Sequence, residues 1–307
     1  MIAVFILILI IVLILLGGGL FAYKTAFYSP KAEREKWQVL NTQNFPEHRE
    51  KVLNIQQSLR DRPCEFVTIT SRDGLILSGR YYHVQEGAPL DICFHGYKSS
   101  PMTDFCGGSR LSLEMGHNLL LVDQRCHGSS QGMTITFGLR ERYDCLSWIE
   151  YANNRFGEGT PIFLYGISMG AATVLMASGL DLPGNVKGII ADCPYNSPMD
   201  IILHVGKNMP IPLWLIRPFV ILGAKVFGGF DILETWASKE VAKSRIPVLL
   251  IHGGSDSLVP DEMSKPIYEA NPSMVSYHII PDAEHGISFL VDTPRYKSLV
   301  KDFVGSL

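Results

Sequence analysis

The chain opens on an unbroken apolar run. "MIAVFILILIIVLILLGGGLFAY", positions 1–23, contains no charged side chain. A helix rising about 1.5 Å per residue needs roughly 20 such residues to cross a hydrocarbon core of about 30 Å. A cleaved secretory signal has a basic start, a shorter apolar core and a small-residue cleavage site. Here only the amino terminus precedes the run, and the run is longer, so the pattern predicts an uncleaved single-pass anchor over 1–23. From there to residue 62 the chain is charged and helix-prone, with a break expected at Pro46. "PEHREKVLNIQQSLRDR" puts Val52, Ile55 and Leu59 at helical spacing, a single narrow apolar stripe. Positions 24–62 therefore read as a helical stalk or docking helix.

Near Pro63 the pattern changes. "FVTIT" and "LILSGRYYHV", separated by the turn signal Arg72-Asp73-Gly74, predict an antiparallel pair. Short apolar runs then alternate with longer amphipathic ones. "LDICFH", "NLLLVD", "PIFLYG", "VKGIIAD", "PVLLIH" and "VSYHII" read as strands; "LRERYDCLSWIEYANNRFG" and "DEMSKPIYEAN" read as helices. Continuous apolar strands interleaved with helices imply an α/β fold: a mostly parallel sheet covered on both faces. Right-handed crossovers bring the C-terminal ends of its parallel strands to one edge, where open α/β sheets bind ligands. The domain is expected over 63–307. Within it, 197–243 is too long for one crossover helix. Its segment "IILHVGKNMPIPLWLIRPFVILGAKVFGG" is apolar, but Lys207, Arg217, Lys225 and three prolines argue against a second membrane span. It reads as a helical cap inserted over the sheet edge.

Composition adds limits. The 307 residues are 47% hydrophobic, enough for one large core, and a net charge of −3 gives no basic face for nucleic acid. The six cysteines are scattered with no C-x-x-C pair, so they suggest buried thiols and neither a zinc site nor a disulfide framework. Lys24, Lys31, Arg34 and Lys36 follow the apolar run, and the positive-inside rule then puts the domain in the cytoplasm.

The chemistry gathers at strand ends. In "FLYGISMGAA" a Gly-x-Ser-x-Gly pentad joins a strand to a helix. A turn that sharp holds Ser168 in a strained conformation and needs small neighbours, which Gly166 and Gly170 supply. It exposes the Ser168 hydroxyl and directs the Met169 N–H, at a helix start, toward the same space. In "ICFHGYKSS" the Tyr97 N–H, after His95-Gly96, is the second candidate oxyanion donor. In "VLLIHGGSDSLVP" Asp256 is the candidate for orienting an imidazole, preferred over Asp192 at the end of "VKGIIAD". In "IIPDAEHGISF" His285 follows the last strand and is the candidate general base. His48, His117, His127, His252 and His278 read as surface or structural residues.

The order Ser168, Asp256, His285, with His95-Gly96-Tyr97 upstream, resembles the α/β-hydrolase fold family over about 63–307. "DQRCHGSSQG", 123–132, is similar to the Asp-x-Arg-x-His-Gly-x-Ser segment of that family's serine esterase and peptidase-like branches. The resemblance implies that this segment braces loops beside the site. It also implies a membrane-bound lipid or acyl-ester hydrolase, with the cap where the family inserts its lids. The expected reaction is hydrolysis of an ester or thioester of an apolar acyl substrate through an acyl-enzyme on Ser168, with no metal and no cofactor. A peptidase or amidase on the same residues, or a membrane-tethered binding protein without turnover, are the alternatives.

Overall fold

The computed structural model describes residues 1–38 and 48–307; the break expected at Pro46 lies outside the described residues. The first helix, α1 (Ile2–Ala22), continues through a π-helical turn, Tyr23–Phe27, and this unit is long and apolar enough to cross a membrane. Helix α2 (Arg49–Arg60) follows. Then come the strands β1 (Glu65–Thr70), β2 (Ile76–Tyr82) and β3 (Leu90–Phe94), the short helices α3 (Pro101–Asp104) and α4 (Cys106–Glu114), and β4 (Asn118–Asp123). After it run α5 (Glu141–Phe156), β5 (Ile162–Ile167), α6 (Met169–Ala177), β6 (Val186–Asp192), α7 (Pro198–Gly206) and α8 (Leu213–Leu222). The chain closes with α9 (Ala237–Val241), β7 (Val248–Gly253), α10 (Lys265–Ala270), β8 (Val275–Ile280), α11 (Ser288–Val291) and α12 (Thr293–Gly305).

The eight strands form one sheet in the order β1-β2-β4-β3-β5-β6-β7-β8. β1 pairs antiparallel with β2, and β2 with β4; the other pairings are parallel. This is the α/β-hydrolase fold, and it aligns the C-terminal ends of β3 to β8 along one edge.

Side chains of successive residues leave a strand on opposite faces, and the core divides accordingly. Ile92, Leu120, Leu164, Ile189 and Leu250 enter one cluster with Trp148 of α5, Val174 of α6 and Ile267 of α10. Their neighbours Cys93, Leu121, Tyr165, Ile190 and Leu249 enter another with Leu111 of α4, Phe289 of α11 and Val300 of α12. Both faces of β3 to β7 are covered, which is why those strand sequences are largely apolar and do not alternate, whereas edge strand β1 is mostly exposed.

Of the stalk and the docking helix that the sequence left open, α2 takes the second arrangement. The stripe of α2, Val52, Ile55 and Leu59, is buried in the second cluster, and Gln56 donates to the Met102 carbonyl at 3.1 Å. The chain just after α1 is also fastened to the domain. The Ile135 N–H donates to the Phe27 carbonyl at 2.8 Å, and the Ser29 N–H to the Met133 carbonyl at 2.9 Å. Buried Arg34 donates to the Ser130 carbonyl at 2.7 Å and also to that of Gly132. The apolar interval after β6 forms α7 and α8, nine and ten residues long. Neither is long enough to cross a bilayer. They join Phe27, Phe137, Met169 and Tyr195 in a third apolar cluster above the sheet edge.

Candidate active site

β5 ends at Ile167 and α6 starts at Met169, so Ser168 makes the turn alone, with φ 54° and ψ −116°. A non-glycine residue with positive φ is strained, and such strain persists only where the surroundings enforce it. They do so here with backbone. A Cβ on Gly170 would lie 1.7 Å from the Phe94 carbonyl oxygen, and one on Gly166 would lie 2.4 Å from the Ala171 nitrogen. The glycines of the pentad are therefore required by the closeness of three backbone segments. The Ser168 N–H donates to the Asp192 carbonyl at 2.9 Å, which ties the turn to the end of β6.

Two loops complete the edge. After β7, Asp256 is buried; its Oδ1 accepts the N–H groups of Leu258 at 3.0 Å and Val259 at 2.8 Å. Its Oδ2 accepts His285 Nδ1 at 2.7 Å, and His252 Nε2 stands 3.5 Å away. Burial alone would raise the Asp256 pKa, but the contacts with His252 and His285 hold it well below the usual carboxylate range. With Nδ1 engaged by a carboxylate, the other ring nitrogen of His285 is left for chemistry. Gly286, at φ +71°, packs its α-carbon region toward Ile167, the residue before Ser168. Ser168 and His285 line the same cavity.

The loop after β3 is braced from below by two buried histidines. His95 Nδ1 donates to the Gly96 carbonyl at 2.8 Å, and its Nε2 accepts the Gln124 N–H at 3.1 Å. His127 Nδ1 donates to the Arg125 carbonyl at 2.8 Å, and its Nε2 accepts the Lys98 N–H at 3.0 Å. Burial lowers the pKa of both rings, which suits imidazoles that each donate once and accept once. The Gly96 N–H is taken by Asp104 Oδ2 at 2.6 Å. Between these two engaged amides, the Tyr97 N–H has no protein acceptor among the described residues, and neither has the Met169 N–H.

Asp192, the competing acid, lines the cavity but makes no hydrogen bond to His285; its Oδ1 receives the Ser288 hydroxyl at 3.4 Å. Burial pushes its pKa up to about 6, against the opposing effect of His252 and the Tyr296 hydroxyl. Three residues at this edge carry contacts that their sequence positions did not reveal. His252, four residues before Asp256, pairs through Nδ1 with the Ser264 hydroxyl and through Nε2 with the Val259 carbonyl, both at 2.7 Å. His127 holds the loop after β3. Cys193 places its sulfur, with an Asp256 oxygen and a His285 nitrogen, in a set of donor atoms all within 4.8 Å of one another. Burial raises the Cys193 thiol well above its ordinary pKa.

The cavity holds about 1160 Å³ and is lined mainly by apolar side chains. Ile201, Val205, Ile216 and Phe219 come from α7 and α8, while Gly18, Phe21 and Ala22 come from α1.

The family described as alpha/beta hydrolase fold matches residues 92–232. Among proteins known by sequence, the chain is similar to YqkD of Bacillus subtilis, 27% identical over 198 residues; the match covers 64% of this chain and 65% of YqkD. It is 26% identical over 247 residues to human Protein ABHD12B, covering 72% of this chain and 62% of that protein. Among solved structures, the Pyrococcus furiosus esterase Pf2001 superposes with a TM-score of 0.66 at 25% identity, over 81% of this chain and 93% of the esterase.

Proposed function

We propose that this chain, which belongs by fold to the α/β hydrolases, is a membrane-anchored serine hydrolase that cleaves esters or thioesters of apolar acids. One observation carries the reading. A serine in an enforced strained turn faces a largely apolar cavity that it shares with a histidine bonded to a buried carboxylate. In the proposed cycle the Ser168 hydroxyl attacks the substrate carbonyl while His285 takes its proton. Asp256 orients the imidazole and stabilises its positive charge. The N–H groups of Tyr97 and Met169 receive the oxyanion; one such donor is worth roughly 10²–10³ in rate. His285 then protonates the leaving group, and water, deprotonated by the same ring, releases the acid and restores the serine.

The esterase among the structural relatives supports an ester over a peptide, and so does the cavity lining, which offers few partners for a peptide backbone. Anchorage rests on α1, and the cytoplasmic side rests on the basic residues that follow it. The test is labelling of the full-length protein by a fluorophosphonate. Labelling of the native chain that disappears in Ser168→Ala is expected. No labelling of the native protein, or labelling that survives the substitution, overturns the proposal.

A further inference from the structure

The end of α1 is built into the cavity. Gly18 faces the Phe219 ring so closely that a Cβ there would stand 2.4 Å from it. A Cβ on Gly223, just beyond α8, would stand 2.6 Å from the Gly19 carbonyl oxygen. The bare backbone of Gly223 meets that of Gly19, and bare Gly18 leaves room for the Phe219 ring, as small residues do in helix pairs within membranes. Below this contact, the Tyr97 hydroxyl donates to the Ala26 carbonyl at 2.9 Å. The residue whose amide is the proposed oxyanion donor thus also grips the end of the anchor. Gly18, Phe21, Ala22 and Thr25 line the same cavity as Ser168 and His285.

Depth follows from length. Residues Ile2 to Gly17 are exposed along the helix and cover roughly 24 Å at 1.5 Å per residue, short of the hydrocarbon thickness of about 30 Å. A full span therefore needs the next residues, Gly18 to Phe21, of which Gly18 and Gly19 meet α8 and Gly18 and Phe21 line the cavity. The first charge is at Lys24. On α8 Trp214 is 75% exposed, and Arg217 is exposed beside it, side chains suited to the boundary between acyl chains and headgroups.

We infer that the anchor's last turns form one wall of the acyl-binding site, which opens at lipid depth between α1 and the α7–α8 cap and takes the acyl chain of a bilayer ester. This rests on the serine hydrolase reading above. The chain would lie between Phe21 and Ala22 on one side and Ile216 and Phe219 on the other, with its carbonyl at Ser168.

The experiment uses the full-length protein in phosphatidylcholine vesicles and a series of p-nitrophenyl esters from acetate to palmitate. Ala22→Phe should lower kcat/KM for decanoate and palmitate by about tenfold or more, since several methylenes lose their place. The loss should grow with chain length, so that the ratio of palmitate to acetate kcat/KM falls by about tenfold or more. Phe21→Ala, which removes bulk, should shift the preference toward longer chains. Unchanged chain-length profiles in both variants, or equal losses for acetate and palmitate, overturn the inference while labelling upholds the serine reading. An unlabelled native protein overturns both. For depth, brominated lipid should quench tryptophan fluorescence in the native protein, and Trp214→Phe should remove that quenching. No quenching assignable to Trp214 overturns placement of the opening at lipid depth.

Discussion

The two ends of the cavity are built on different principles. At the serine end, three backbone segments meet with no room for a Cβ at Gly166 or Gly170, and Ser168 is held at positive φ. At the anchor end, side chains and a few bare glycines from α1, α7 and α8 meet around open space. The first region is fixed by backbone closeness and leaves almost no room for change. The second defines shape and polarity, so it can vary without moving the reacting atoms. Under the proposed function, chemistry would sit at the first end and selection of the acyl chain at the second.

The separation can be broken most forcefully at Ser168. Ser168→Ala should lower kcat by about 10⁶ while secondary structure and cap packing persist. Steady-state rates alongside circular dichroism check this, and a loss below tenfold would move the chemistry elsewhere. Asp256→Asn should cost roughly 10⁴ in kcat, because the imidazole loses its orienting charge, with little change in KM. Equal loss in an Asp192→Asn variant would mean that the acid had been misassigned.

Stability should report the same contrast. Gly170→Ala drives a methyl into the Phe94 carbonyl and should destabilise the fold by more than about 3 kcal/mol, measured by denaturant unfolding. Asp192→Asn tests the buried carboxyl beside the elbow. Its pKa is raised to about 6 in the fold, above the unfolded value. Its protonated form is thus favoured by folding, and native stability should fall as pH rises from about 4 through 6, by an amount on the order of 2 kcal/mol. The Asn variant should flatten that decline. The smallest effect belongs to the cap: Phe219→Ala should cost about 1 kcal/mol and leave acetate hydrolysis within about threefold. A collapse of acetate turnover in this variant would show that the two ends are not separable.

Much of the serine end was legible in the sequence because its determinants are local. A pentad, an apolar run before it and a helical run after it fall within about fifteen consecutive positions, and the steric demand on Gly166 and Gly170 acts within that window. Each strand-end candidate carried a similar short context: His95-Gly96 before Tyr97, Gly253-Gly254 before Asp256, Gly286 after His285. The structure brings Ser168, Asp256 and His285 to one edge, with Asp192 left on the cavity wall. The contact of His252 with Asp256 was not legible: a histidine at a strand end carries no mark of what a later loop will fold against it.

The region between anchor and domain left two readings open. Positions 24–62 read as a helical stalk or docking helix, because a charged stretch with one narrow apolar stripe is consistent with either. In the structure Arg34 is buried against carbonyls of the loop after β4, and α2 docks its narrow stripe on the domain. A single amphipathic stripe shows that a helix has an apolar face, but not which surface covers it.

The amino-acid sequence determined the alternation of strand and helix, the serine turn and an apolar segment long enough for a bilayer, since periodicity, backbone sterics and length act between near neighbours. Only the tertiary structure decided that this segment ends as a wall of the cavity, that Asp104 and His127 engage the amides on either side of Tyr97 while the Tyr97 amide has no acceptor among the described residues, and that Asp256 holds His285. Those facts depend on which distant surfaces come within a few ångströms of one another, and packing of that kind is a property of the whole chain.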